Sequence, residues 1–173
     1  MSPVDPLARP EELLRRVYAY VAYRVHDRNE AEDITGETFV RAVRYRDRYD
    51  SRQGEPIAWL LGIARRCIYD ASLRPRQVSA DSEPAVGGDL EGEVVSRVTL
   101  ASALTALSPS DRDLIALRYG ADLSTREIAG VLEMRPGSVD VALSRARSRL
   151  KELLESDLIH EQAPARKIAD ERL

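Results

Sequence analysis

Apolar residues recur every three to four positions through most of this chain, and the places where they stop divide it into helices. Leu13, Leu14, Val17, Tyr20 and Val21 sit at helical spacing and predict a first helix over 10–25. His26-Asp27-Arg28-Asn29 breaks the pattern, and Asp27 with Glu30 three residues on is a capping-box signature for a second helix. That helix runs to about Tyr45, with Ala31, Ile34, Thr35, Thr38 and Ala42 as its inner stripe. Acidic Glu30, Glu32, Asp33 and Glu37 precede basic Arg41 and Arg44, an order that complements the helix dipole. A turn-rich loop over 50–56 leads to a third helix, 57–73, carrying Trp59, Leu60, Ile63, Ala64 and Cys67.

A second helical stretch starts at Val94 and runs to about Leu107. Ser108-Pro109-Ser110-Asp111 opens the next helix, with a Ser cap, Pro in the first turn and an acid at the third position; it ends near Gly120. Ser124-Thr125-Arg126-Glu127 is a further capping box for a short helix through Leu132. Glu133-Met134-Arg135 makes a tight turn, and Pro136 starts a long helix to about Leu154. Between the two stretches, Pro75, Pro84, Gly87, Gly88 and Gly92 interrupt any periodicity. No run of alternating β-branched residues predicts a strand. The expected fold is therefore all-α. Two small helical domains, 7–74 and 94–155, are joined by a flexible acidic linker, 75–93, and followed by a polar tail, 156–173, loosely ordered or forming a short helix. Such a linker leaves the relative placement of the domains to a partner.

Charge sharpens this division. The net charge of −3 argues against a generic nucleic-acid coat. Its distribution is uneven: 14 basic and 11 acidic residues over 7–76, 5 acidic and no basic residues over 77–96, then 9 basic and 8 acidic over 97–155. Two near-neutral to mildly basic modules flank an acidic connector. The single Cys67 excludes an internal disulfide or thiolate cluster, and His26 and His160 lack ligand spacing, so neither metal nor cofactor is expected. Cytoplasmic localisation is expected, since Met1-Ser-Pro-Val-Asp lacks a signal-peptide pattern and no apolar run approaches a membrane span. No phosphate-binding glycine loop or nucleophile–base pairing suggests an enzyme.

Three constellations carry candidate chemistry. The last two helices, with their three-residue turn, form a helix-turn-helix arrangement in which Ile128, Ala129 and Leu132 pack on Val139, Leu143 and Ala146. Ser138, Asp140, Val141, Ser144, Arg145, Arg147 and Arg149 then point outward, where hydroxyls, the helix N-terminus and arginines suit phosphates and guanine edges. An ordinary helical hairpin with a solvated basic face is the plainer alternative. On the second helix, Asp33, Glu37 and Arg41 share a face at i, i+4 spacing. Physics alone favours intrahelical pairing of Glu37 with Arg41; a protein-docking face is the functional alternative. Finally, Tyr45, Tyr49, Trp59 and Tyr69 lie among Arg46, Arg48, Arg52, Arg65, Arg66 and Arg74, a mixture suited to stacking and holding single strands. The plainer alternative is that Trp59 and Tyr69 are core residues, and Trp59, on a helix with Leu60 and Ile63, reads as core.

These separate signals meet in one family. The run from Asp27 to Ala42 resembles the polymerase-binding helix of bacterial sigma factors of the extracytoplasmic-function (ECF) group, and Trp59 to Arg66 followed by Asp70 resembles the next segment of the same region 2. Leu107 to Arg112, Ser124 to Ala129, Gly137-Ser138-Val139 and Ser144 to Leu150 resemble region 4. The resemblance covers about 10–154. It implies an alternative sigma factor that binds core RNA polymerase and directs promoter recognition, melting and initiation. Region 2 would bind the β′ clamp helices through Asp33, Glu37, Phe39 and Arg41, and the −10 element through Tyr49, Arg52, Arg65, Arg66 and Asp70. Region 4 would read the −35 element through Arg126, Ser138, Asp140, Val141, Ser144, Arg145 and Arg147 and touch the β flap. The short form implies an anti-sigma partner. Asp140-Val141-Ala142 departs from the family, which usually carries basic residues there. Competing readings are a non-sigma helix-turn-helix regulator and a sigma-like interaction protein without DNA competence.

Overall fold

The computed structural model describes residues 5–25, 27–74, 83–86 and 94–162. Among them the regular structure is helical, apart from an isolated antiparallel bridge between Asp27 and Pro84. Helices α1 (Pro10–Arg24), α2 (Arg28–Tyr45) and α3 (Pro56–Ser72) form the first domain, and a short 3-10 turn, Arg46–Arg48, follows α2. Helices α4 (Val94–Ala106), α5 (Pro109–Ile115), α6 (Thr125–Leu132) and α7 (Pro136–Gln162) form the second, with a π-helical turn, Ala116–Gly120, continuing α5.

The helix starts follow their capping residues. Asp27 accepts from the Glu30 amide at 2.8 Å, and Ser108 accepts from Asp111 at 3.2 Å. At α6 the box is reciprocal: Ser124 Oγ accepts from the Glu127 amide at 3.3 Å while Glu127 accepts from the Ser124 amide at 2.7 Å. The Ser124 hydroxyl, which donates to the Glu127 carboxylate at 2.6 Å, and the Ser124 amide together hold that carboxyl below the usual carboxylate range. The C-terminus of α4 is closed by Arg112, which donates to the carbonyls of Leu104, Thr105 and Leu107.

The inner stripe of α2 is buried as its spacing predicts. Thr35 and Thr38 are part of it because each hydroxyl donates to the carbonyl four residues back, at 2.7 Å. Leu60, Leu61 and Ala64 of α3 and Val17, Tyr20 and Val21 of α1 complete the first core. In the second domain, Ile128 and Ala129 meet Val139, Leu143 and Ala146, all buried, and Leu132 and Leu150 pack at the edge.

Three expectations are corrected. First, α7 does not stop at Leu154 but continues to Gln162, so the start of the tail is helical; the run over 155–162 has no Gly or Pro, and the first breaker is Pro164. Residues 163–173 lie outside the described residues. Second, the linker is not free throughout. The Arg28 amide donates to Glu83 O at 3.1 Å, Arg28 pairs with Glu83 at 3.5 Å, and Ala85 is buried beside Ala22, Val25 and Leu104. The expected flexibility over 75–82 and 87–93 lies outside the described residues. Third, the two domains pack on each other, and their buried residues form one continuous cluster. The cross-domain contact runs from α1 to α5 and the π turn, and from α3 to α6.

Candidate nucleic-acid and protein interfaces

The helix-turn-helix is built by α6, a turn at Glu133 and α7. Glu133 adopts φ 54° and ψ 40°, the left-handed conformation that ends α6 and redirects the chain. With Val139, Leu143 and Ala146 turned inward, helical geometry at about 100° per residue places Val141, Ser144 and Arg145 outward. Arg126, Ser138, Asp140, Val141, Ser144, Arg145 and Arg147 are all exposed. The structure therefore gathers the seven residues proposed for duplex reading onto the exposed surface of one motif. Asp140 has a local partner as well: Thr125 Oγ1 donates to it at 2.9 Å, tying the start of α6 to the first turns of α7. Arg149 is drawn away from this surface by Asp111 of α5, at 2.5 Å.

On α2, Asp33, Glu37, Val40 and Arg44 lie opposite the buried stripe and are exposed. Val40 and Val43, 54% and 58% exposed, add an apolar strip to the charged face. The expected Glu37–Arg41 pairing is present at 2.7 Å, and Arg41 also donates to Asp70 of α3 at 2.7 Å. Both bonds hold the guanidinium charged, well above its ordinary range. Arg41 is thus a clasp between α2 and α3, and Asp70 is its acceptor. Phe39 is half-buried against the core. Of the four residues proposed for the protein-docking face, Asp33 and Glu37 are the ones fully on it.

Around the loop after α2, Tyr49 tilts against Trp59 at 5.5 Å between ring centres and donates to Gly54 O at 3.0 Å. Arg48 lies over the Tyr45 ring at 5.0 Å, a cation–π contact. Arg52 grips Asp50, whose carboxyl drops to about 2 under those hydrogen bonds. Trp59 is half-buried, and Tyr69 is 62% exposed rather than core. Tyr69 shares the outer face of α3 with exposed Arg66, three residues before it, and Leu73. Arg65 points elsewhere, toward the second domain, pairing with Asp113 at 3.2 Å. The structure pairs Tyr49 with Trp59, turns Arg52 onto Asp50, and leaves Arg66 and Tyr69 on the outer face of α3, apart from Arg65. Sequence reasoning missed Val40 and Val43 as surface residues, and it left Tyr69 open between core and stacking surface. The signal was their register: each falls opposite the buried stripe of its helix.

Cys67 is buried, and burial pushes its thiol up. Among the described residues, no group of three or more His, Cys, Asp or Glu side chains is placed to hold a metal ion. Among them, no helix is long and apolar enough to cross a membrane.

Comparison with known proteins supplies the family. The Sigma-70 region 2 model matches residues 11–77 and the Sigma-70 region 4 model matches 97–150. The chain is 32% identical over 150 residues to the ECF RNA polymerase sigma factor BldN of Streptomyces coelicolor, covering 82% of this chain and 57% of BldN. It thus spans little more than half of that relative. It is 30% identical over 140 residues to the ECF RNA polymerase sigma factor SigC of Mycobacterium tuberculosis, covering 78% of this chain and 75% of SigC. The fold is similar to that of the sigma factor RpoE solved with the anti-sigma factor NepR from Bartonella quintana. There the TM-score is 0.65 at 23% identity, covering 84% of this chain and 93% of that one. With both sigma regions present in order, the chain belongs to the ECF group of RNA polymerase sigma factors.

Proposed function

We propose that this chain acts in the cytoplasm as an alternative sigma factor, binding core RNA polymerase through α2 and promoter DNA through both domains. The observation that carries this reading is the presence of two separate exposed faces in one chain: Asp33 and Glu37 on α2, and Ser138, Val141, Ser144 and Arg145 on α7. The first face is acidic with an apolar strip, which suits a basic helical partner such as the β′ clamp helices. The second presents hydroxyls and arginine from a helix-turn-helix, the geometry that enters a major groove at the −35 element. The Tyr49–Trp59 pair, with Arg52, Arg66 and Tyr69 exposed in the same domain, offers stacking surfaces and positive charge for bases freed by melting at the −10 element. The β flap is a further contact of the second domain in this reading. An anti-sigma partner would act by covering these faces.

The direct test is run-off transcription from genomic fragments with the purified chain and core polymerase. Initiation at discrete start sites is the expected result. Neither core binding nor initiation, with any anti-sigma protein removed, would rule the proposal out. Specific duplex binding without core would identify a free-standing regulator, and core binding without initiation an interaction protein.

Asp140 gives a quantitative check on how α7 sits. An acid on the flank of a reading helix repels phosphate. Asp140→Lys is therefore expected to tighten binding to a −35 duplex and steepen the log–log salt dependence by about one unit. Fluorescence anisotropy across a salt series measures both. An unchanged slope would place this flank away from the DNA backbone.

A further inference from the structure

Val141 stands at the outermost line of α7. With Val139, Leu143 and Ala146 as the buried side, about 100° per residue puts Val141 almost diametrically opposite, between Ser144 and Arg145. It is 52% exposed. From Pro136 to Arg149 it is the one branched aliphatic side chain on the exposed surface. A single exposed valine is commonplace in itself; the surroundings give this one a meaning. Gly137 lies one turn before it, and Ser138, Ser144 and Ser148 share its side of the helix. Gly137 has no positive φ, and a Cβ there would meet open space, so neither backbone conformation nor packing inside the chain requires glycine. The result is a low helix surface from which Val141 projects and over which another surface can come close.

The charges around it are arranged to suit a polyanion. The one acid between Pro136 and Arg149 is Asp140, and the Thr125 hydroxyl donates to it at 2.9 Å, holding its carboxylate on the α6 flank. Arg126, Arg145 and Arg147 are exposed on the same motif. Positive charge thus draws a duplex in, and an apolar projection meets it at the centre.

The floor of a major groove consists of hydrogen-bond donors and acceptors with one apolar group, the C5 methyl of thymine. Against guanine, adenine or cytosine, an isopropyl group strips water from polar atoms and returns no hydrogen bond. Against thymine it covers a methyl group, and both apolar surfaces leave water together. The same side chain therefore favours one base and penalises the other three. We infer that Val141 is a specificity-determining residue of this chain, selecting a thymine in the −35 element by contact with its C5 methyl. The inference rests on the promoter reading proposed above, so its test has to tell the two apart.

The probe is a promoter duplex mapped by the run-off assay, bound by the full chain together with core polymerase at one fixed salt concentration. Each thymine of the −35 element, on either strand, is replaced in turn by deoxyuridine, which deletes only the methyl group. One replacement is expected to weaken binding about fourfold, the equivalent of one buried methylene-sized group. Val141→Ser is expected to bind the thymine duplex about fourfold more weakly than the wild type does, and to bind the thymine and uracil forms of that site equally. Circular dichroism checks that the variant keeps its helices, and Val141→Asn supplies the same comparison if it does not. A −35 element without thymine, no effect of any replacement, or an effect of equal size in the variant would each overturn the inference while leaving the sigma reading in place. A chain that binds neither core nor promoter would remove the sigma reading, and the inference with it.

Discussion

Ile128→Ala is expected to destabilise the second domain by about 3 kcal/mol and to abolish duplex binding while leaving the exposed face of α7 chemically intact. Helix α6 spans only Thr125–Leu132, too short to hold itself together in water. Its stability comes from the Ser124–Glu127 box and from two buried residues, Ile128 and Ala129. Ile128 is fully buried, so truncation removes several methylenes and leaves a cavity between α6 and α7. The two helices then lose the fixed angle by which a helix-turn-helix enters a groove. Urea unfolding and anisotropy on a −35 duplex measure the two effects. Arg126→Ala, two residues earlier and exposed, should stay within about 0.5 kcal/mol of the wild-type stability and lose only DNA affinity. A cost under about 1 kcal/mol for Ile128→Ala would show that α6 is held by something other than this core.

The sequence makes Ile128 easy to find, and the reason is general to this chain. Local signals decide where helices begin: Asp27, Ser108 and Ser124 each cap in the structure as their spacing predicts. Periodicity decides which face is buried, so the stripes of α2 and α7 are legible. What could not be read is any contact whose partners are distant in sequence. Asp113 looks like a solvated acid on an amphipathic helix until α1 and α3 supply Tyr20, Arg24 and Arg65. Gly120 reads as a helix terminator, and only the approach of α1 shows its second purpose. Arg65 and Arg66 are adjacent, yet one helical step of about 100° sends the first to the other domain and the second to the outer face. Arg41 and Asp70 satisfy each other, a use that a motif match to a docking face cannot distinguish from binding a partner. Tyr69, open in the sequence between core and stacking surface, is exposed, as its register opposite Leu60 and Ala64 places it.

The second large effect concerns core polymerase. The Asp33→Arg, Glu37→Arg double variant is expected to lose about a hundredfold in core affinity, with each single reversal losing about tenfold. Juxtaposed like charges at an interface cost several kcal/mol, while exposed charges on a free protein contribute little to its stability. Asp33 is the cleaner probe, because it is exposed on the face that α2 turns away from the core. Its reversal should leave the unfolding midpoint unchanged. Glu37 is less clean: its removal costs Arg41 one of two acceptors, although Asp70 still holds the guanidinium at 2.7 Å. Arg41→Ala separates the two roles. If Arg41 is a clasp, the variant loosens α2 against α3 and lowers stability, and core affinity falls less than for the Asp33 reversal. If Arg41 contacts polymerase directly, affinity falls at least as far, with stability preserved. Val40→Asp tests the apolar strip between the charges, since 54% exposure in the free chain leaves a side chain available for burial by a partner. Unchanged core affinity in both the double reversal and Val40→Asp would remove α2 as the docking face. Loss in both, with duplex binding by α7 retained, would fix the division of labour in which one domain holds the enzyme and the other reads the promoter.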